Sequence, residues 1–124
     1  MPESQAAALL KQCSRPTPTH VDGHWKVPAT AIETLERDLP KLSSIRSGMF
    51  GDFVSEPSAY FRQYAGITIR GKRFIYISAV RMDAPLPNWR TEPTILCDGG
   101  KSAWGALYDP ATRGFSQFEF NGMI

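Results

Sequence analysis

The stretch FRQYAGITIRGKRFIYISAV, residues 61–80, decides the fold of this chain. Both of its halves, residues 61–70 and 73–80, are rich in β-branched and aromatic side chains, which favour strands. Gly71-Lys72 separates the halves, and Arg70-Gly71-Lys72 supplies a turn, because glycine tolerates the positive φ that a tight turn requires. The stretch therefore predicts a β-hairpin.

Further strands are predicted after the hairpin. Residues 82–93 contain three prolines, which cannot donate to a strand ladder, so this segment is predicted to be a protruding loop. The residue pattern then predicts strands at 94–98, 103–108 and 115–120, separated by short glycine- or proline-containing turns. Strands that follow one another through short turns, without helices between them, indicate an antiparallel sheet.

One amphipathic helix is predicted before the hairpin, within residues 28–43. Thr30 and Glu33 have the spacing of a capping box, which predicts that the helix begins near Thr30. Pro40 removes a backbone donor and should kink or end the helix near Leu39. The apolar residues recur at steps of three and four: Ile32, Leu35, Leu39 and Leu42.

These elements predict a single α+β domain, with one main helix packed on a four- to five-stranded antiparallel sheet. Residues 1–27 are expected to form an extended N-terminal segment with a short strand at 24–27, and residues 60–122 the sheet. Because strand side chains alternate between faces, one set of residues is expected to face the helix together. That set is Phe61, Ile67, Ile69, Ile75 and Ile77.

Composition excludes several classes of protein. The chain has 124 residues, and its 14 Lys plus Arg against 12 Asp plus Glu leave a net charge of only +2. Proteins that bind nucleic acid by neutralising phosphates carry more positive charge, so no nucleic-acid partner is expected. The longest apolar run near the start, residues 6–10, is far shorter than a membrane span. No membrane span is therefore predicted.

The two cysteines, Cys13 and Cys97, lie far apart and lack the spacing of a zinc site. A disulfide is the preferred interpretation, and it would indicate an oxidising compartment. Two unpaired buried thiols are the alternative. His20 and His24 are expected to be exposed loop residues, so neither a metal nor a cofactor is predicted.

No catalytic motif is present. Residues 97–102 join two glycines to a lysine and a serine, but the spacing of a phosphate-binding loop is absent. An enzyme or small-ligand binder remains an alternative, and it would gather titratable groups in a concave pocket near Tyr64, Tyr76 or Tyr108.

Two loops contain the candidate partner-binding residues. In the first, prolines restrict the backbone around a large aromatic residue and a cation, a combination typical of binding hot spots. Its candidates are Leu86, Asn88, Trp89 and Arg90. The second is the polar turn that contributes Asp98, Lys101 and Ser102. Trp89 has a structural alternative, since an aromatic residue at a strand entrance often packs on the core.

The C-terminal half also resembles a known group. The residues that carry the likeness are FRQYAG at 61–66, FIYI at 74–77, Trp89-Arg90, CDGG at 97–100, Trp104-Gly105, YDPAT at 108–112 and FNG at 120–122. This pattern, over residues 13–122, resembles a group of small exported proteobacterial proteins of largely unassigned function. The resemblance implies a location in the cell envelope, reached through a signal peptide or a lipoprotein signal, and this sequence shows neither.

Small periplasmic α+β proteins without catalytic motifs include immunity proteins against the peptidoglycan-cleaving toxins of type VI secretion. By analogy of size and compartment, the expected function is a non-enzymatic periplasmic inhibitor that occludes the active site of such a toxin. Whether the protein forms a homodimer is left open. The alternative is a small periplasmic ligand-binding domain or an enzyme that uses a concave sheet face.

Overall fold

The computed structural model describes residues 5–48, 51–81, 88–89, 91–97 and 99–122. Five antiparallel strands form one sheet in the order β1-β2-β3-β4-β5, so each strand pairs with its neighbours in the chain. The strands are β1 Val21–His24, β2 Phe61–Ile69, β3 Lys72–Val80, β4 Ala103–Asp109 and β5 Gly114–Phe120. The predicted α+β class and antiparallel sheet are confirmed.

The β2–β3 hairpin turns through Arg70 and Gly71, not through the predicted Arg70-Gly71-Lys72. Arg70 and Gly71 both have positive φ, 53° and 77°, as a type I′ turn requires, and Lys72 already belongs to β3. Asp22 of β1 accepts hydrogen bonds from the Gly71 amide (3.1 Å) and from the Thr68 hydroxyl (2.6 Å). The neighbouring strand therefore holds the turn in this conformation.

The shorter turn changes which side chains share a face. Ile67 pairs with Phe74, and Ile69 pairs with Lys72. The expectation that Phe61, Ile67 and Ile69 lie beside Ile75 and Ile77 is wrong, because a shift of one residue moves every side chain of a strand to the other face.

A second irregularity lies in β5. The pairing of β4 with β5 shifts between Gly105 and Leu107, and Gln117 in the opposing strand has a φ of 50°. This bulge inserts a residue, so Phe115 packs on the same hydrophobic core as Phe118 and Phe120 despite the odd spacing.

Two short helices flank the sheet: α1, Ala6–Leu9, and the main helix α2, Ala29–Asp38. The predicted capping box is wrong, because Pro28 stands at the N-cap and its carbonyl accepts from the Ala31 amide at 3.0 Å. After Asp38 the chain tightens into a 3₁₀ helix, Leu39–Ser44, as the donor missing from Pro40 leads one to expect. Leu35, Leu39 and Leu42 are buried.

The sheet has two different faces. The helix face, which α2 covers, carries aromatic and aliphatic side chains such as Ile77, Trp104 and Tyr108. The opposite face carries Gln63, Tyr76 and Ser78, and it is crossed by α1 and by extended chain, so we call it the crossing face. Both faces are therefore covered.

Two further local predictions are wrong. Residues 94–97 form no strand, since their main-chain groups bond to side chains of the crossing face rather than to a neighbouring strand. The short N-terminal strand lies at Val21–His24 instead of 24–27. Its successor, Trp25, donates its amide to the Gly66 carbonyl (3.2 Å) as the chain leaves the edge of the sheet.

Candidate binding surface

Residues 88, 89 and 91–97, which we call the pinned segment, lack regular secondary structure but are held at several points to the crossing face. The buried side chain of Gln63 makes the central attachment. Its Nε2 donates to the carbonyls of Trp89 and Glu92, the latter at 2.6 Å, and its Oε1 accepts from the Thr94 amide at 2.7 Å. One strand side chain thus fixes three positions of the segment.

The segment also carries its own turn. The Asn88 carbonyl accepts from the amides of Thr91 (3.0 Å) and Glu92 (2.8 Å). Asn88 has a φ of 63°, in the left-handed region that asparagine tolerates better than most residues. These bonds satisfy main-chain groups that would otherwise bind water, and they narrow the conformations open to the loop.

Trp89 is half-buried and packs against Phe61, with ring centroids 5.7 Å apart. Its side chain therefore attaches the loop to the start of β2 and does not project freely into solvent. The ring therefore packs on the protein, as the structural alternative expects. It is only half-buried, so part of it is also exposed to a binding partner.

The far end of the pinned segment is tied to the N-terminal segment. Cys13 and Cys97 form the predicted disulfide, with Cα atoms 5.3 Å apart. Beside it, Asn121 donates its Nδ2 to the Leu96 carbonyl at 2.7 Å. The Gly122 amide donates to the Ser14 carbonyl at 2.9 Å. The disulfide therefore joins two segments that both lie on the crossing face.

Beneath these segments lies a buried arginine. Arg15 is 6% exposed, and its guanidinium donates to Tyr76 Oη (3.0 Å), Asn121 Oδ1 (2.7 Å) and Ser78 Oγ (2.9 Å). All three acceptors are neutral, and among the residues described no carboxylate forms an ion pair with it. Gly105 lies directly below, where an added Cβ would overlap Arg15 and Tyr76.

The second candidate loop lies at the same end of the sheet. Phe61, where Trp89 packs, pairs with Val80, and Val80 pairs with Ala103, directly after Ser102. The Lys101 carbonyl accepts from Tyr60 Oη at 2.6 Å, and the Ser102 hydroxyl donates to the Gly99 carbonyl at 2.5 Å. The exposed Lys101 ammonium lies 3.6 Å from an Asp52 carboxylate oxygen.

The structure thus brings Asn88, Trp89, Lys101 and Ser102 to one end of the sheet. Leu86, Arg90 and Asp98 lie outside the described residues. Among the described residues, two large apolar side chains are exposed, Phe53 at 44% and Ile95 at 39%. Ile95 belongs to the pinned segment itself.

The three tyrosines named for the enzyme alternative lie on two different faces of the sheet. Tyr76 lies on the crossing face, whereas Tyr64 and Tyr108 are on the helix face. Burial raises the pKa of all three, that of Tyr108 to about 12 with a further contribution from its hydrogen bond to Asp38. Protonated phenols at neutral pH suit their structural hydrogen bonds to Glu36, Arg15 and Asp38.

Within the ranges that the structure describes, no three His, Cys, Asp or Glu side chains are arranged to hold a metal ion. His20 and His24 are both exposed. Over the same residues, no helix has the length and apolar character needed to cross a membrane.

The residues that position this surface were not predicted from the sequence. Gln63 and Asn121 are buried polar side chains that hold the pinned segment, and Arg15 lies under it. A signal for Gln63 exists, because it interrupts the otherwise apolar series Phe61, Ala65, Ile67 on one face of β2. Buried polar side chains require partners, so such an interruption indicates a contact from outside the sheet.

Comparison of the chain with protein-family models, with curated proteins and with solved structures finds no match in any of the three.

Proposed function

We propose that this protein is an exported, non-enzymatic inhibitor. Its expected partner is a toxin that degrades the cell wall, and the specific hypothesis is an immunity protein against a peptidoglycan-cleaving toxin of type VI secretion. The inhibitor blocks the toxin's active site with the pinned segment and the adjoining turn at Lys101 and Ser102.

The observation that carries this proposal is the attachment of the pinned segment. An irregular loop is held by a buried glutamine, an asparagine, an aromatic pair and a disulfide. Fixing a loop before binding removes much of the conformational entropy that docking would otherwise cost, about 0.5–1.5 kcal/mol for each flexible side chain immobilised. The segment leaves Asn88, Thr91, Glu92 and Ile95 exposed for a partner.

The disulfide supports a periplasmic location. Disulfides persist in oxidising compartments such as the periplasm and are rare in the cytosol. The substrate of a wall-cleaving toxin lies in the same compartment, so an inhibitor there would meet its target.

The ligand-binding or enzymatic alternative has less support. It requires an open concave sheet face, whereas α2 covers one face and the two disulfide-linked segments cross the other.

The test uses a purified peptidoglycan-cleaving toxin whose gene lies beside the gene for this protein. Inhibition is measured as a slower loss of turbidity in a cell-wall suspension. The unaltered protein should abolish hydrolysis at a stoichiometric ratio. Ile95→Asp places a charge on an exposed apolar contact and should weaken inhibition at least about tenfold without loss of folding stability. Arg70→Asn, at the opposite end of the sheet, is the matched control, since asparagine tolerates the positive φ there.

Equal inhibition by the unaltered protein and Ile95→Asp would remove the pinned segment from the interface. Failure of the unaltered protein to bind or inhibit the toxin would overturn the proposed function.

A further inference from the structure

Among the residues that the structure describes, the outer edge of β2 is only partly paired. β2 runs over nine residues, Phe61–Ile69, but β1 pairs with it only at Ile67, Thr68 and Ile69. The last main-chain hydrogen bond along this edge, within the described part of the chain, runs from the Trp25 amide to the Gly66 carbonyl. After Trp25 the chain rises onto the helix face, where Val27 lies over Gly66.

The hairpin register identifies the main-chain groups on this open edge. In a two-residue hairpin, the pair that flanks the turn, Ile69 and Lys72, is hydrogen-bonded, and every second pair after it is too. The main-chain N–H and C=O groups of odd-numbered β2 residues therefore point toward β3. Those of even-numbered residues point away from β3, toward the outer edge. The outward Gly66 carbonyl, which Trp25 binds, agrees with this alternation.

The N–H and C=O groups of Arg62 and Tyr64 thus point away from β3. No hydrogen bond joins these groups to another described part of the chain. The open stretch has a limit at each end: Arg62 Nη1 binds the Tyr60 carbonyl at 2.7 Å, and Trp25 holds the Gly66 carbonyl. The gap is about one short strand segment long.

The usual protection of a sheet edge is weak here. Edge strands are commonly shielded by proline, by a bulge or by a mobile charged side chain. Residues 61–65 contain no proline, and their register is regular. Arg62 carries the charge, but its guanidinium is held by Glu36 (2.8 Å), Tyr64 Oη (3.0 Å) and the Tyr60 carbonyl.

We infer that this open edge accepts an extended segment of the protein partner by β-strand addition, an inference that rests on the proposed inhibitor function. Main-chain hydrogen bonds to Arg62 and Tyr64 would supply affinity, as in other strand-addition complexes. Specificity would come from side chains of the incoming segment. Those on the crossing face lie beside the Phe61 and Trp89 rings, so an apolar residue is expected there.

A second copy of this chain fits the edge poorly. A two-fold pairing centred on Gln63 would bring Tyr60 of the second copy to Gly66, where Trp25 already binds. A pairing centred on Arg62 would place two arginines directly opposite each other, and like charges in that position are destabilising. A free extended segment avoids both conflicts.

The test uses a displayed library of random linear peptides about ten residues long, long enough for one strand. Peptides selected on the unaltered protein should alternate apolar and polar residues and slow hydrogen exchange of the Arg62 and Tyr64 amides. Tyr64→Pro removes the outward N–H of residue 64. Tyr64→Ala is the matched control, because it also loses the tyrosine side chain but keeps the main-chain N–H. Binding should fall at least about fivefold more in Tyr64→Pro than in Tyr64→Ala, consistent with the loss of a main-chain hydrogen bond.

Three results would overturn the inference. If selected peptides bind both variants equally, or leave the two amides exchanging as fast as in the free protein, the edge is not the docking site. If sedimentation shows a dimer that Tyr64→Pro dissociates, a second copy occupies the edge instead. Should Tyr64→Pro not fold, amide exchange in the unaltered protein decides alone.

The toxin assay separates the two proposals. Full inhibition of the toxin by Tyr64→Pro would reject strand addition and keep the inhibitor function. If peptides bind at the β2 edge but the protein inhibits no toxin, the inhibitor function is rejected and the edge remains a binding site for extended segments.

Discussion

The two faces of the sheet are covered by different means. On the helix face, Leu35, Trp104 and Phe118 pack in one apolar cluster, whose contacts need no specific direction. On the crossing face, the covering chain is held by Gln63, Arg15, Asn121 and one disulfide, each of which works only in a defined geometry. The helix face supplies most of the buried apolar surface, and the crossing face positions a loop.

This difference predicts that substitutions on the two faces affect folding stability differently. Burial of apolar side chains is the main source of folding free energy, whereas a hydrogen bond contributes about 1 kcal/mol net. Damage to the helix face should therefore unfold the whole domain. Damage to the crossing face should loosen the pinned segment first and the sheet less.

The largest expected effect comes from Trp104→Ala on the helix face. Trp104 is fully buried between Tyr60 and Phe118, so the change leaves a large cavity and should cost about 4 kcal/mol of unfolding free energy, measured by urea denaturation. Trp104→Phe is the control and should cost much less, since Trp104 Nε1 is buried without a hydrogen-bond partner among the described residues. A cost below about 1 kcal/mol for Trp104→Ala would contradict the central role of this face.

Next is the loss of the disulfide in the double variant Cys13→Ser, Cys97→Ser. The bond joins residues 84 apart, and its loss should lower the unfolding free energy by about 3 kcal/mol, within the range typical of disulfides. Hydrogen exchange should rise further in residues 91–97 than in α2, since only the former are tied by this bond. Equal increases in both regions would show that the two faces are not independent.

A smaller effect is expected for Gln63→Leu, which removes the central attachment of the pinned segment. The lost hydrogen bonds should cost about 2 kcal/mol of unfolding free energy and raise amide exchange at Thr94, whose N–H loses its acceptor. Gln63→Glu is the matched control, because it keeps that acceptor but loses the donor to the Trp89 and Glu92 carbonyls. Protection at Thr94 that survives Gln63→Leu would mean that another contact holds the loop.

The smallest effect is a pH dependence on the helix face. Hydrogen bonds from Arg113 and Tyr108 hold the pKa of Asp38 well below its ordinary 3.8. A carboxyl whose pKa is lower in the folded state stabilises the fold above its unfolded pKa, and this stability is lost as pH falls. The unfolding free energy should therefore decline below about pH 4.

Urea titrations between pH 5 and about pH 2.5 measure this decline. Asp22 and Asp109 also have lowered pKa values and contribute to the same slope, so Asp38→Asn should flatten the profile only in part. An unchanged profile in Asp38→Asn would contradict the role given to this carboxylate.

Much of the helix face could be predicted from local sequence. The spacing of Leu35, Leu39 and Leu42 predicted the amphipathic helix, and Pro40 predicted its end, because helix periodicity and a missing donor act within one or two turns. The disulfide could also be predicted, since the chain has only two cysteines. These features depend on residue types and short spacings, which are visible in the chain itself.

The tertiary structure decided the faces of the strands and the course of the pinned segment. Asp22, remote in sequence, holds the turn at Arg70 and Gly71, and one residue of register reverses the faces of Ile67 and Ile69. Residues 94–97 have the composition of a strand, but Gln63 and Asn121 bind their main-chain groups instead. Hydrogen bonds between residues 25 to 49 positions apart have no local pattern, so only the folded chain determines them.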